Sequence, residues 1–244
     1  MTTTTVLVHG AWHGAWCWDS VVEGLAARGL PAVAVDLPGH GLDTGPLVDL
    51  HGDAARVGEL LDELSASGGD VLLVGHSYGG AVITEAGVHP AVRHLVYLCA
   101  LALAEDESCA TVAVGDAVAA ISHEGRPNLG EAFVIDQEGL ATLAHLDLAS
   151  ACLYNECDPH IASSAWSRLG PQPMVTLQQI PQSIAWRRTP STYVVCANDF
   201  AVHPELQRVM AARCSRQVEW ESDHSPFFSH PQLVTDLLAE IAAS

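Results

Sequence analysis

Short apolar runs with no polar face, alternating with amphipathic helical stretches, constrain this chain more than any other feature. Thr5-Val-Leu-Val-His9, Pro31-Ala-Val-Ala-Val-Asp36, Val71-Leu-Leu-Val-Gly75, His94-Leu-Val-Tyr-Leu-Cys99 and Thr192-Tyr-Val-Val-Cys-Ala197 are apolar at nearly every position, and Gln217-Val-Glu-Trp220 adds a sixth run. A strand half-exposed to water alternates polar and apolar; one that is apolar throughout is covered on both faces, as in a parallel sheet with helices on either side. The helices lie between the runs. Trp18 to Arg28 carries Val21, Val22 and Leu25, while Val57, Leu60, Leu61 and Leu64 repeat at helical spacing. Further helices are expected from Gly79-Gly80, over Pro204 to Arg213, and around Leu233, Leu237, Leu238 and Ile241. The expected fold is α/β, with about six mostly parallel strands flanked by helices. From about Leu103 to Arg188 the alternation lapses into an Ala-rich, acidic stretch broken by Gly125-Arg-Pro127, Gly170-Pro171 and Pro181. That stretch carries no convincing buried strand. It reads as a helical cap inserted at 103-188 into one core formed by 1-102 and 189-244.

Charge narrows the function. Acidic residues number 29 against 10 basic ones, every one of them Arg, for a net charge of -19. A nucleic acid or an anionic membrane would have to bind against that field, so neither is expected as a partner. The longest apolar run, Leu95 to Ala104, is about half of the roughly 20 residues that span a bilayer. Met1 to Thr5 has no basic, apolar leader pattern, so a cytoplasmic location is expected. The seven Cys form no C-x-x-C pair, which suits reduced thiols packed as small apolar groups. A small-molecule substrate is the expected partner, and a homodimer is left open.

Gly75-His-Ser77-Tyr-Gly79 matches G-x-S-x-G in the context the motif needs, with a buried strand before it and a helix after it. Such a tight strand-to-helix turn strains the backbone at the serine and leaves Ser77 Oγ exposed above the sheet edge. A serine hydroxyl needs a base, and the base needs an anion to hold its tautomer. Of the 13 His residues, His224 follows the last strand-like run and so falls at the carboxyl end of the sheet, as Ser77 does. Asp199 follows its own strand in the same way. The candidate catalytic residues are therefore Ser77, Asp199 and His224. Asp223 is closer to His224 in sequence, but adjacent side chains diverge, and it reads as a solvated loop charge. His9, His13, His40 and His76 read as packing or loop residues.

Acyl transfer also needs two backbone N–H donors for the oxyanion, one after the nucleophile and one in the loop after the first strand. Tyr78 and Ala11 occupy those positions. His9-x-x-x-His13 lies on a strand end and loop and lacks the Glu of H-E-x-x-H, so no metal is assigned. Trp12, Phe133, Leu153, Trp166 and Trp186 are candidate pocket walls, each of which could equally serve only to pack the cap.

His-Gly-Ala-Trp-His-Gly-Ala-Trp-Cys-Trp from His9, Gly75-His-Ser-Tyr-Gly-Gly80, Val194-Val-Cys-Ala-Asn-Asp199, Pro204-Glu-Leu-Gln-Arg208 and Asp223-His-Ser-Pro226 together resemble an α/β-hydrolase. Within that superfamily the chain is most similar to the plant methylesterase and hydroxynitrile lyase group and its bacterial relatives. The resemblance covers the core on both sides of the insertion. It implies a cofactor-free enzyme with a helical cap, acting on small esters in an apolar pocket, with the site residues as named above. Family members with lyase activity carry a Thr after the first-loop His and a Lys after the catalytic His; this chain has Gly10 and Ser225 there. A serine esterase, acting on an ester, lactone or thioester through an acyl-enzyme, is the leading expectation. A lyase or cyclase using the same residues, or a binding protein that has lost turnover, are the alternatives.

Overall fold

A computed structural model describes residues 3–115 and 125–244, so residues 116–124 of the expected cap lie outside the described residues. In chain order the strands are β1 (Thr3–Val8), β2 (Ala32–Val35), β3 (Asp70–His76), β4 (Val92–Leu98), β5 (Phe133–Ile135), β6 (Leu140–Leu143), β7 (Gln172–Pro173), β8 (Ser191–Cys196) and β9 (Arg216–Trp220). Six of them form one sheet in the order β2-β1-β3-β4-β8-β9. Every pairing in that sheet is parallel.

Position in the sheet explains the composition of each strand. The central β3 and β8 are buried along almost their whole length, whereas the edge strands β2 and β9 are largely half-buried or exposed. That is why β9 reads Arg-Gln-Val-Glu-Trp and breaks the all-apolar rule. Helices Asp19–Ala26 and Pro231–Ala242 pack as one pair and Leu50–Ala66 and Gly79–Ala86 as another, each pair lying on the sheet. Val21 and Leu25 of the first helix are buried as their spacing requires, and so are Leu237, Leu238 and Ile241 of the last. Leu233 departs from the expected stripe: it is 41% exposed, and Val234 is buried in its stead. Val234, Leu237, Leu238 and Ile241 form the buried stripe, and Leu233, one step of four before Leu237, lies at its margin.

The chain between β4 and β8 holds helices, as expected, and also a small antiparallel sheet in the order β5-β6-β7. These strands have 3, 4 and 2 residues, too short to produce the apolar runs by which the core strands are recognised. Val134 and Ile135 of β5 are exposed.

The strand order places the site. From β1 the chain runs first to β2 on one side and then to β3 on the other, so the connections leave a crevice beyond the carboxyl ends of β1 and β3. Val8 pairs with Gly75, so the residues that follow both strands emerge side by side.

Candidate active site

Ser77 sits where β3 turns into the helix Gly79–Ala86, with φ +53°. A left-handed backbone at a residue with a side chain costs on the order of 1–3 kcal/mol and persists only when its surroundings enforce it. Here the enforcement is local. Ser77 N donates to Leu98 O at 3.3 Å, and Ser77 O accepts from Gly80 N and Leu101 N, each at 3.0 Å. The turn is tight enough that a Cβ on Gly79 would lie 2.6 Å from His9 O. On the β1 side, a Cβ on Gly10 would lie 2.9 Å from Ser77 Cβ. Glycine at both positions lets the two loops touch.

His224 and Asp199 arrive from the loops after β9 and β8. His224 Nδ1 lies 2.7 Å from Asp199 Oδ2, with the side chains 2% and 0% exposed. Three further donors reach this carboxylate. Ala201 N and Val202 N reach Oδ1 at 2.7 and 2.9 Å, and Gln207 Nε2 reaches Oδ2 at 2.8 Å. The carboxylate thus meets four donors, one of them the imidazole Nδ1–H of His224. That contact engages Nδ1 and leaves the other ring nitrogen, Nε2, on the far side of the ring from Asp199. Among the described residues Ser77 Oγ and His224 Nε2 make no hydrogen bond to any protein group, each other included.

What brings His224 beside the serine turn is its own backbone. His76 Nε2 donates to His224 O at 2.8 Å, the two rings lie 4.6 Å apart, and Cys99 Sγ donates to the same carbonyl at 3.3 Å. Burial lowers the His76 pKa well below the usual range, which keeps its ring neutral, and raises that of the Cys99 thiol. His76, Cys99 and His224 are the group of metal-ligating types that converges, with ligand atoms within 4.8 Å among the described residues. Burial keeps the Cys99 thiol protonated, which makes it a poor ligand, while His76 Nδ1 has no hydrogen-bond partner among the described residues.

Asp223 departs from expectation. It is fully buried, not a solvated loop charge. Its Oδ1 accepts from Ser225 N at 3.2 Å and Ser229 Oγ at 2.7 Å, and its Oδ2 from Glu156 N at 3.2 Å and Cys157 Sγ at 3.4 Å. The carboxylate is turned away from the His224 ring, as adjacency in the chain suggested, but it ties the loop after β9 to the inserted segment.

The amides of Ala11 and Tyr78 donate to no protein acceptor among the described residues. The Tyr78 side chain is buried and points elsewhere, donating from its hydroxyl to Asp53 Oδ2 at 2.5 Å. Of the candidate pocket walls, Trp12 and Phe133 meet, with rings 5.8 Å apart. Trp186 donates from Nε1 to Leu103 O at 2.8 Å, Leu153 is buried in its helix, and Trp166 is half-buried at the end of the helix Pro159–Trp166. No ring contact or hydrogen bond among the described residues links these three to Trp12 or Phe133. Two surface clefts, one beside Trp16 and Phe228 and one beside Ile184 and Arg187, are lined by none of Ser77, Asp199 and His224.

Sequence reasoning passed over Gln207, His76 and His13 as parts of this site. Gln207 was visible inside Pro204-Glu-Leu-Gln-Arg208, and it bridges Asp199 Oδ2 to Cys196 N and Val202 O.

The geometry agrees with what the chain resembles. An α/β hydrolase of Aspergillus novofumigatus, nvfD, is 32% identical over 97% of this chain and 95% of its own length. Methylesterase 2 of Arabidopsis thaliana is 29% identical over 97% of this chain and 95% of its own. Among solved structures, a pyrethroid hydrolase from Sphingobium faniae superposes with a TM-score of 0.85 over 100% of this chain and 98% of that one; at 24% identity this is a likeness of fold. Residues 5–237, from β1 into the last helix and including every loop described above, match the family described as alpha/beta hydrolase. The chain belongs to that family.

Proposed function

We propose that the protein is a serine esterase that cleaves a small, largely apolar carboxylic ester through an acyl-enzyme. In this reading Ser77 is the nucleophile, His224 the base, Asp199 the acid that holds it, and the Ala11 and Tyr78 amides the oxyanion donors. Ser77 Oγ attacks the ester carbon while its proton passes to His224 Nε2; the tetrahedral intermediate collapses, and His224 returns the proton to the departing alcohol. A water then attacks the acyl-enzyme with the same base, releasing the acid and regenerating Ser77. The described part of the segment 103–188 acts as the cap over the carboxyl ends of the strands.

The observation that carries this reading is the buried Asp199–His224 contact of 2.7 Å beside a serine held at φ +53°. That Ser77 and His224 share no hydrogen bond among the described residues is compatible with it, because catalytic hydrogen bonds commonly tighten only in the substrate complex. A relative named methylesterase supports an ester substrate. The test is labelling with a fluorophosphonate together with a panel of chromogenic esters of graded acyl length. Stoichiometric labelling at Ser77 with turnover of short esters is expected. A protein that neither labels nor turns over any ester overturns the reading.

A further inference from the structure

A peptide carbonyl and the N–H that follows it share one rigid plane and point in opposite directions. Fixing one fixes the other. In the loop after β1, Gly10 O accepts from His9 Nδ1 at 2.8 Å and from His13 N at 3.3 Å, which turns Ala11 N–H to the opposite side. The next plane is fixed at both ends. Ala11 O accepts from His13 Nδ1 at 2.8 Å, and Trp12 N donates to Gln172 Oε1 at 3.3 Å. Thus Trp12 N–H is already spent while Ala11 N–H is not.

Two of these holds come from the segment between β4 and β8. Tyr154 OH lies 2.7 Å from His13 Nε2. With Nδ1–H given to Ala11 O, a neutral His13 has a bare Nε2, so the tyrosine donates and locks the tautomer. The ring is neutral because burial lowers its pKa to about 4. Gln172, fully buried on β7, has its amide oriented by donating from Nε2 to Thr176 Oγ1 at 2.8 Å. Trp12 itself is held at φ +64°, with its carbonyl accepting from Gly170 N at 2.8 Å and its Nε1 donating to Ala141 O at 3.0 Å. A left-handed, non-glycine residue clamped at three points by another segment is not a relaxed loop.

We infer that His13, held by Tyr154, is a positioning residue for the Ala11 oxyanion donor, and that the inserted segment completes the oxyanion site when it seats on this loop through Tyr154 and Gln172. The inference rests on the esterase reading above. It makes cap closure part of transition-state stabilisation rather than only of substrate enclosure.

Tyr154→Phe removes one hydroxyl and nothing else. Removing a whole oxyanion donor costs about 10²–10³ in kcat; loosening one through a relay is expected to cost about 10-fold or more, with KM changed less than about twofold. Affinity for a boronic acid that mimics the tetrahedral intermediate should fall in step with kcat, which a packing role does not require. His13→Asn retains an N–H near the Nδ1 position and should keep more activity than His13→Leu. Circular dichroism and melting confirm the fold of each variant, and the His13 pair decides the matter if Tyr154→Phe is misfolded. Unchanged kcat and boronate affinity in Tyr154→Phe, or equal activity of the two His13 variants, overturn the positioning role while the wild type still labels and turns over. Failure of the wild type to label overturns the esterase reading and this inference with it.

Discussion

Asp199 and His224 stand 25 residues apart in the chain and 2.7 Å apart in the fold, and three further donors, Ala201 N, Val202 N and Gln207 Nε2, hold the same carboxylate. Asparagine at 199 therefore has no good orientation. Its NH₂ must face either the Ala201 and Val202 amides or Gln207 Nε2 and His224 Nδ1. In the second case His224 adopts the tautomer with its proton on Nε2, which cannot accept a proton from Ser77. Asp199→Asn is expected to lower ester kcat by about 10⁴-fold, with the protein still folded. Steady-state kinetics on a chromogenic ester check this, and a loss below tenfold would remove Asp199 from the triad.

Ser77→Ala should lower turnover by on the order of 10⁴-fold or more and abolish fluorophosphonate labelling, because a triad acts as a unit. Its melting temperature should be no lower than that of the wild type, since alanine is no worse than serine at φ +53° and no protein hydrogen bond to Oγ is lost. Residual turnover within a factor of ten would show that another group attacks the ester.

Asp223→Asn should do the reverse. Both carboxylate oxygens accept two hydrogen bonds each, none of them from the His224 ring. An amide cannot accept on both sides, so stability should fall by about 1–3 kcal/mol while kcat changes only a few-fold. Urea unfolding and kinetics on the same preparation separate the two effects.

The core was legible because burial on both faces writes itself into composition. Six strands and the helices between them follow from runs such as Val71 to Val74 and from spacings such as Val57, Leu60 and Leu61. The convergence of His224 and Asp199 near the Ser77 turn was legible for a related reason: each of the three follows a strand's carboxyl end. The antiparallel sheet around Leu140–Leu143 was not, since strands of so few residues carry no usable period. Nor was Asp223. Its burial depends on Glu156, Cys157 and Ser229, which approach it only through the fold. The His13–Tyr154 contact spans 141 residues, and no local pattern can announce such a pair.

Asp53 gives a pH dependence of stability. It is 1% exposed, takes one hydrogen bond from Tyr78 OH, and leaves Oδ1 without a partner among the described residues. Burial, with the nearby charge of Asp49 adding to it, raises its pKa from 3.8 to about 7. Between those values the unfolded chain has lost the proton and the folded chain keeps it. Stability therefore falls as pH rises from about 4 to about 7 and levels off above, by at most about 4 kcal/mol from this group. Asp53→Asn removes that component. Relative to wild type, the variant should be more stable at about pH 8 than at about pH 5, and an equal difference at the two pH values in urea unfolding would show that Asp53 does not titrate in this range.

Ester hydrolysis and cyanohydrin cleavage make opposite demands on the surroundings of His224. Cleavage to cyanide calls for a cation near the departing anion in a dry pocket, and the lyases that this chain resembles supply a Lys directly after the histidine. Here that residue is Ser225, fully buried, its amide given to Asp223 Oδ1 and its hydroxyl without a protein partner among the described residues. The chain has no Lys. The Arg that reaches the loop after β8, Arg126, donates to the Asp199 carbonyl and lies 4.5 Å over the Phe200 ring, with no hydrogen bond to the His224 side chain among the described residues. The lyases' first-loop Thr is absent as well. Position 10 has no room for it, since even a Cβ there would sit 2.9 Å from Ser77 Cβ. Short aryl esters should therefore be hydrolysed, while mandelonitrile should be cleaved no faster than the background at mildly acidic pH, where that background is slow. Benzaldehyde release that depends on Ser77 and His224, in a preparation that turns over no ester, would reverse the assignment.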